Sequence, residues 1–260
     1  MEATSTRGAH HAARYTDGTY LENVRDWHLG DAAWKAGKIL RLLEAHGLSP
    51  GTVADVGCGA GGVLAELQEK LPPTTRFSGF DISPQAIELA RKRENERLHF
   101  HNEDFLESSE PAPELLLLLD VFEHVPDYLG FLDALRKKTD WVIFHIPLDL
   151  CAKELLKGSR YMLHMRQQYG HLHYFSAETA LCTLKDTGFD VVDQRFTDDG
   201  EMDSEPPPTL KGRAVRWVRQ TLFRRKARLA AALFEHFNLL VLARGDLATR
   251  NPGPEDRPAG

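Results

Sequence analysis

Short apolar runs alternate with amphipathic stretches over the first half of this chain. Runs at 52–56, 76–80, 98–102, 115–119 and 141–146 are five or six residues long and rich in Val, Ile, Leu and Phe. That length and composition predict β-strands. Between them, the segments 31–46, 62–70, 84–93 and 128–137 carry apolar residues at helical spacing. Asp31 stands where an N-cap is expected, Gly47 where a helix stops, and Pro84 in a first helical turn. Continuous apolar strands separated by helices predict a parallel sheet covered on both faces. The pattern changes after residue 146. Residues 147–175 read as loop and short helix, rich in His, Tyr and Met. A helix follows at 176–187, with Ser176 as N-cap and Gly188 beyond its end. Strands are predicted at 189–196 and 238–243.

Composition adds bounds. With 260 residues, 42% hydrophobic and 27% charged, the chain has the make-up of a soluble α/β domain with appendages. Its net charge of −6 does not favour a nucleic-acid partner. Cys58, Cys151 and Cys182 form no metal-ligand spacing and cannot all pair, which suits a reduced, cytoplasmic compartment. The first residues lack the apolar core of a signal peptide, and no apolar run could span a bilayer. Residues 1–13 and 251–260 read as disordered. Tyr15, Tyr20 and Trp27 mark residues 1–30 as an aromatic segment or lid, and the stretch from Trp27 to Trp34 and Lys35 could fold over a site.

The densest chemical signal is Asp55-Val56-Gly57-Cys58-Gly59-Ala60-Gly61-Gly62, between the first strand and the next helix. Glycines there let the backbone turn sharply and approach a ligand with no Cβ in the way. Gly57, Gly59 and Gly62 fit the dinucleotide pattern G-x-G-x-x-G; Asp55, Gly57, Gly59 and Gly61 fit D-x-G-x-G-x-G. A tight strand–helix turn would also use such residues. The context argues for more: Asp55, Asp81, Asp104 and Asp120 all fall at or near strand carboxyl ends, where open α/β sheets bind ligands.

Four segments together resemble the class I S-adenosylmethionine-dependent methyltransferases. They are the glycine segment, Gly79-Phe80-Asp81-Ile82-Ser83, Asn102-Glu103-Asp104-Phe105, and Leu119-Asp120-Val121-Phe122-Glu123-His124-Val125-Pro126-Asp127. The resemblance implies a Rossmann-like, seven-stranded, mostly parallel sheet with helices on both faces and an antiparallel last strand. It implies S-adenosyl-L-methionine as cofactor. Asp55, Gly57, Cys58, Gly59 and Gly61 would cradle it. Asp81 and Ile82 would hold the ribose, Asp104 and Phe105 the adenine, and Asp120 and Val121 the methionine part. Lys35 could pair with the methionine carboxylate; it could equally be a solvated side chain beside a packed Trp34. The methyltransferase domain would span 31–250, with an acceptor-side insertion at 147–175 and a basic helical insertion at 200–235.

Methyl transfer from a sulfonium to a hydroxyl needs alignment and a base. Histidine suits the latter. His145 sits at the carboxyl end of the fifth strand, where it is a candidate base or a satisfied core histidine. His171 and His173 flank Leu172, and alternation would place both on one side, lining the acceptor pocket. Two such histidines need further ligands to close a metal site, so no metal is expected. Some related quinone O-methyltransferases use a Glu-His pair like Glu123-His124 near a metal. Arg160 and Arg166 could bind an anionic acceptor group, or lie on the surface.

Residues 206–234 hold eight basic side chains and no acid, so of the chain's net −6 the remainder carries −14. Val215, Val218, Leu222, Leu229 and Leu233 fall along one helical side. Three readings stand: this side packs on the domain, residues 211–228 contact an anionic membrane peripherally, or the cations grip an anionic or lipid-linked acceptor. The expected activity is methylation of a small molecule, at a hydroxyl of a sugar, glycan precursor or secondary metabolite. The rivals are an NAD(P)-dependent oxidoreductase and a non-catalytic binding protein on the same fold.

Overall fold

The computed structural model describes residue 15 and residues 29–158, 160–202 and 207–246. Most of the expected aromatic segment, and the expected tail, lie outside the described residues. A 3₁₀ turn, Leu29–Asp31, leads into α1 (Ala32–Ala45). Then come β1 (Thr52–Val56), α2 (Gly62–Gln68), β2 (Arg76–Phe80), α3 (Pro84–Ala90), β3 (Leu98–His101), β4 (Leu115–Leu119), α4 (Tyr128–Arg136) and β5 (Trp141–Pro147). The second half holds α5 (Ala152–Leu156), α6 (Arg160–Gln168), α7 (Ala177–Asp186), β6 (Asp190–Asp198), α8 (Leu210–Arg225), α9 (Ala227–Leu233) and β7 (Phe237–Arg244).

The seven strands form one sheet in the order β3-β2-β1-β4-β5-β7-β6. Only β7 runs against its neighbours, β5 and β6. Strand order reverses direction between β1 and β4, which opens a crevice at their carboxyl ends. Burial on both faces explains the five leucines of β4. Leu116 and Leu118 join one core with α4, α7 and α9. Leu115 and Leu117 join the other with α1, α2 and α3. A period of two sends alternate side chains to opposite layers.

The helix boundaries follow the capping chemistry. Ser83 accepts from the Ala86 N–H at 3.3 Å, and Ser176 and Thr179 form a reciprocal capping box. Asp31 departs from its expected role: it stands at the N-cap of α1, but its carboxylate pairs with Lys35 at 2.9 Å and caps no N–H.

The basic segment also departs from the simplest expectation. The chain breaks at Lys226 (φ −149°, ψ 69°), giving two helices. Arg219, Leu222, Phe223, Ala230 and Ala231 turn inward, while Val215, Val218, Leu229 and Leu233 remain exposed. The inner position that an apolar residue was expected to take belongs to Arg219, paired with buried Asp198 at 2.8 Å.

Candidate functional site

A cavity of about 690 Å³ lies at the carboxyl ends of the parallel strands. That is ample for a nucleoside cofactor with a small acceptor. Its first end is built on the glycine turn. The Gly57 and Cys58 N–H groups donate to the Phe80 carbonyl at 2.8 and 3.1 Å, tying the turn to β2. Gly57 has φ +72°, and a Cβ there would come within 2.7 Å of Val121. Gly61, also left-handed, backs onto Phe100, where a Cβ would meet the ring at 2.3 Å. Gly57, Cys58 and Gly59 line the cavity; Gly61 instead permits close packing behind it.

Asp81 points into this end. Its two oxygens accept the Gly59 and Ser83 N–H groups at 2.9 and 2.8 Å. Each oxygen keeps a further acceptor site, which suits a ribose diol. Burial raises the Asp81 carboxyl above its ordinary value, and the two N–H groups oppose this. Ile82, Asp104, Phe105 and Val121 line the same cavity, as does Glu103, which was not singled out. Phe105 meets the Phe80 ring edge-on at 5.0 Å.

The middle of the cavity is a charged chain. Lys35 bridges Asp31 and Asp120 at 2.9 and 2.8 Å. Burial would lower the Lys35 pKa, but the two carboxylates outweigh it and hold the ammonium charged. Asp120, with φ +55°, also accepts from His145 Nδ1 at 2.7 Å. Burial opposes its ionisation, yet His145 and Lys35 together hold it well below the usual carboxylate range.

Asp55 is different. It is buried, its Oδ1 has no hydrogen-bond partner, and burial pushes its pKa up to about 8, with Lys35 opposing and Asp81 adding. An unfolded aspartate titrates near 3.9. Between these values the folded protein holds the extra proton, so stability falls as pH rises through this window. Ligand-free Asp55→Asn is therefore expected to lose less melting temperature than wild type between pH 5 and 8.5, measured by circular dichroism. Parallel pH dependences would contradict this reading.

The rest of the cavity wall, expected from the sequence to take the acceptor, holds further histidines. His171 Nδ1 meets Asp149 Oδ2 at 2.6 Å, and the Tyr161 hydroxyl donates to Asp149 Oδ1 at 3.3 Å. All three line the cavity. His145, the expected base, has both ring nitrogens engaged: Nδ1 by Asp120 and Nε2 by the Thr197 hydroxyl at 3.1 Å. It braces the charged chain and has no nitrogen available for an acceptor's proton. His173 does not share a wall with His171. The segment is not a regular strand, and His173 Nε2 turns to the Val125 carbonyl at 3.0 Å. Arg160 and Arg166 are exposed and lie outside the cavity wall.

Glu123 lies beneath this part of the wall, fully buried, with neither carboxylate oxygen hydrogen-bonded by a described residue. Burial, then the Asp120 charge, pushes its pKa well up. Its carbonyl accepts the Leu172 and His173 N–H groups at 2.8 and 3.0 Å, which holds the His171 segment in place. Glu123, His124 and His171 each offer one ligand atom, all within 4.8 Å of one another. These three, rather than the His171–His173 pair, could hold a divalent cation. Tyr15 reaches over the site to His124 Nδ1, 3.0 Å away.

Asp149, Tyr161, Asp199, His236 and Asn238 complete the wall and were not singled out from the sequence. Asp149 had a usable signal, lying two residues past β5. Asp199 and Asn238 are brought together by the antiparallel pairing of β6 with β7; the Asn238 amide donates to Asp199. Burial raises Asp199 to about 6, with His145 opposing.

A nucleoside-sized crevice with a glycine turn and a half-buried acid, Asp81, at the carboxyl ends of a 3-2-1-4-5-7-6 sheet is the arrangement of a cofactor-dependent α/β enzyme. Residues 27–194 match the methyltransferase domain family, and the chain belongs to it. It is of the class I type, whose cofactor is S-adenosylmethionine, and this sets aside the nicotinamide reading of the glycine segment. The chain is 28% identical over 143 residues to a ubiquinone biosynthesis O-methyltransferase of Actinobacillus pleuropneumoniae, covering 49% of this chain and 60% of that one. It thus spans about three fifths of the length of such relatives. A release factor glutamine methyltransferase of Vibrio cholerae is 37% identical over 71 residues, 27% of this chain and 24% of that one. The fold is shared with a Haloferax volcanii methyltransferase solved with its Trm112 activator (TM-score 0.63, 19% identity, 89% of this chain and 97% of that one). It is also shared with magnesium protoporphyrin IX methyltransferase of Synechocystis PCC 6803 (TM-score 0.58, 14% identity, 92% and 100%). Among the described residues no helix is long and apolar enough to cross a membrane.

Proposed function

We propose that this chain transfers the methyl group of S-adenosylmethionine to a hydroxyl of a small molecule, with His171 taking the hydroxyl proton. The observation that carries this reading is the Asp149–His171 pair in the cavity wall, 2.6 Å apart. The carboxylate accepts the Nδ1 proton, which leaves the Nε2 lone pair as the proton acceptor. Among the described residues no group bonds Nε2. Tyr161 secures the other Asp149 oxygen, so the imidazole is held in one orientation. The sulfonium supplies an activated methyl group when the cofactor is bound. The chain's own task is to align the hydroxyl in line with it, exclude water and remove one proton. Asp81 would fix the ribose, and Asp55 and the Lys35–Asp120 chain would border the methionine part.

The likeness to O-methyltransferases of ubiquinone biosynthesis supports a hydroxyl acceptor. The test is transfer of labelled methyl from S-adenosylmethionine to a panel of phenols, sugar hydroxyls and primary amines. Label in hydroxyl acceptors is expected; label confined to amines would overturn the reading.

One observation favours a second reading of the same step. Two buried carboxylate oxygens with no hydrogen bond from the described residues, as in Glu123, are costly unless protonated or ligated. The nearest basic group among those residues, His124 Nε2, is 3.8 Å from Oε1. His124 and His171 supply nitrogen donors beside these oxygens. A divalent cation held there would polarise the acceptor oxygen. Dialysis against a chelator would then reduce turnover, with Mg²⁺ or Zn²⁺ restoring it; turnover indifferent to both would leave His171 acting alone.

A further inference from the structure

We infer that α8 is an interfacial helix that docks this enzyme on an anionic lipid bilayer with the cavity beside the lipid surface. Leu210, Ala214, Trp217 and Val218 recur at positions that share one helical face, and all four are exposed. Leu210 is 82% exposed, Trp217 68% and Val218 45%. Cations border this stripe: Arg213 and Lys211 stand on its two sides, and Arg224 and Arg225 close its carboxyl-terminal end. A narrow apolar stripe with an aromatic residue between rows of cations is the pattern of helices that lie in the headgroup region.

The opposite face explains why the stripe must point outward. Arg219 is buried, pairs with Asp198 at 2.8 Å, and donates to the Glu235 carbonyl at 3.3 Å. Phe223 stacks on Phe237 with ring centroids 4.9 Å apart. These contacts fix the helix's rotation. Phe237 also lines the cavity, so one aromatic ring separates the helix from it. The apolar surface continues beyond α8. Of thirteen exposed large hydrophobic residues among the described ones, eleven lie between 155 and 233, among them Leu155 and Leu156 of α5, which packs against α9.

Charge selects the occupant. The segment from 206 to 234 has eight cations and no acid; Arg219 and Arg228 pair with Asp198 and Glu178, while Lys211, Arg213, Arg224 and Arg225 are exposed at the stripe. A second copy docked about a two-fold axis would set these cations against themselves. A neutral partner would leave them unused. An anionic bilayer satisfies both the cations and the stripe.

The test is flotation of the full chain with phosphatidylcholine vesicles, with and without phosphatidylglycerol. The protein is expected to float with the anionic vesicles at about 0.1 M salt and to be released at about 1 M. Reversing three flanking charges (R213E, R224E and R225E) is expected to weaken binding at least ~100-fold, from roughly 1 kcal/mol per cation near such a surface. Trp217→Ala is expected to weaken it severalfold. These residues are exposed, so circular dichroism should show an unchanged melting temperature. No flotation with anionic vesicles would overturn the proposal. So would equal flotation with neutral ones, or binding that survives charge reversal. If single-stranded RNA binds as well as the vesicles do and Trp217→Ala leaves both unchanged, the helix is a polyanion site and the proposal fails.

Discussion

Replacing His171 with alanine is expected to lower kcat by about 10²- to 10⁴-fold, the contribution of a positioned general base. Affinity for S-adenosylhomocysteine should stay within about twofold, because the ring bonds Asp149, whereas Asp81 braces the glycine turn through Gly59 and makes no bond to that ring. Asp149→Asn should reproduce much of this loss. The asparagine amide can present a donor to Nδ1, which favours the wrong tautomer and a turned ring. A merely structural Asp149 would instead reduce folded protein and leave the pH profile of the remainder unchanged. His145 provides the internal contrast. Its two bonds, to Asp120 and Thr197, brace the charged chain, so His145→Ala should disturb cofactor binding and stability as well as turnover. If His145→Ala abolished turnover with binding intact, while His171→Ala did not, the base would have to be reassigned. Stopped assays with a responsive hydroxyl acceptor, together with calorimetric titration of S-adenosylhomocysteine, separate these outcomes.

Asp81→Ala is expected to weaken S-adenosylhomocysteine binding by ~100-fold or more. The carboxylate would accept two ribose hydroxyls, and hydrogen bonds to a charged group contribute about 1.5–3 kcal/mol each. A second loss comes from within the protein. The Gly59 and Ser83 N–H groups both end on Asp81, so its removal frees the glycine turn on one side and the start of α3 on the other. The effect should exceed that of Asp104→Ala, whose carboxylate, among the described residues, braces the Leu106 N–H alone. Calorimetric titration at constant pH measures both. Affinity within about threefold of wild type in Asp81→Ala would remove this residue from the cofactor site.

Some of this site was legible before any coordinates, and the reasons are local. The turn after β1 needs residues that tolerate positive φ, so its glycines stand out in the chain. The acids at strand ends are visible because strand runs are visible: Asp81 follows Arg76–Phe80, and Asp120 follows the five leucines Leu115–Leu119. The Leu115–Leu119 run could be placed as a fully buried strand on the same ground.

Other features depended on partners far away in the chain. His145 reads as a candidate base from its place at the end of β5. Thr197, 52 residues on, and Asp120, 25 residues back, occupy its two nitrogens. His171 and His173 look equivalent in a segment assumed to alternate. They diverge because the Glu123 carbonyl captures two successive N–H groups there, and Asp149 then meets one ring while Val125 meets the other.

The amino-acid sequence by itself determined the sheet, its helices, the glycine turn and the acids that border the cofactor crevice, since each follows from periodicity or backbone freedom within a few residues. Only the tertiary structure decided which partners hold each histidine of the cavity and which face of α8 meets solvent. Both depend on buried polar pairs, Asp149 with His171 and Asp198 with Arg219, and a buried charge takes whichever partner the fold brings to it.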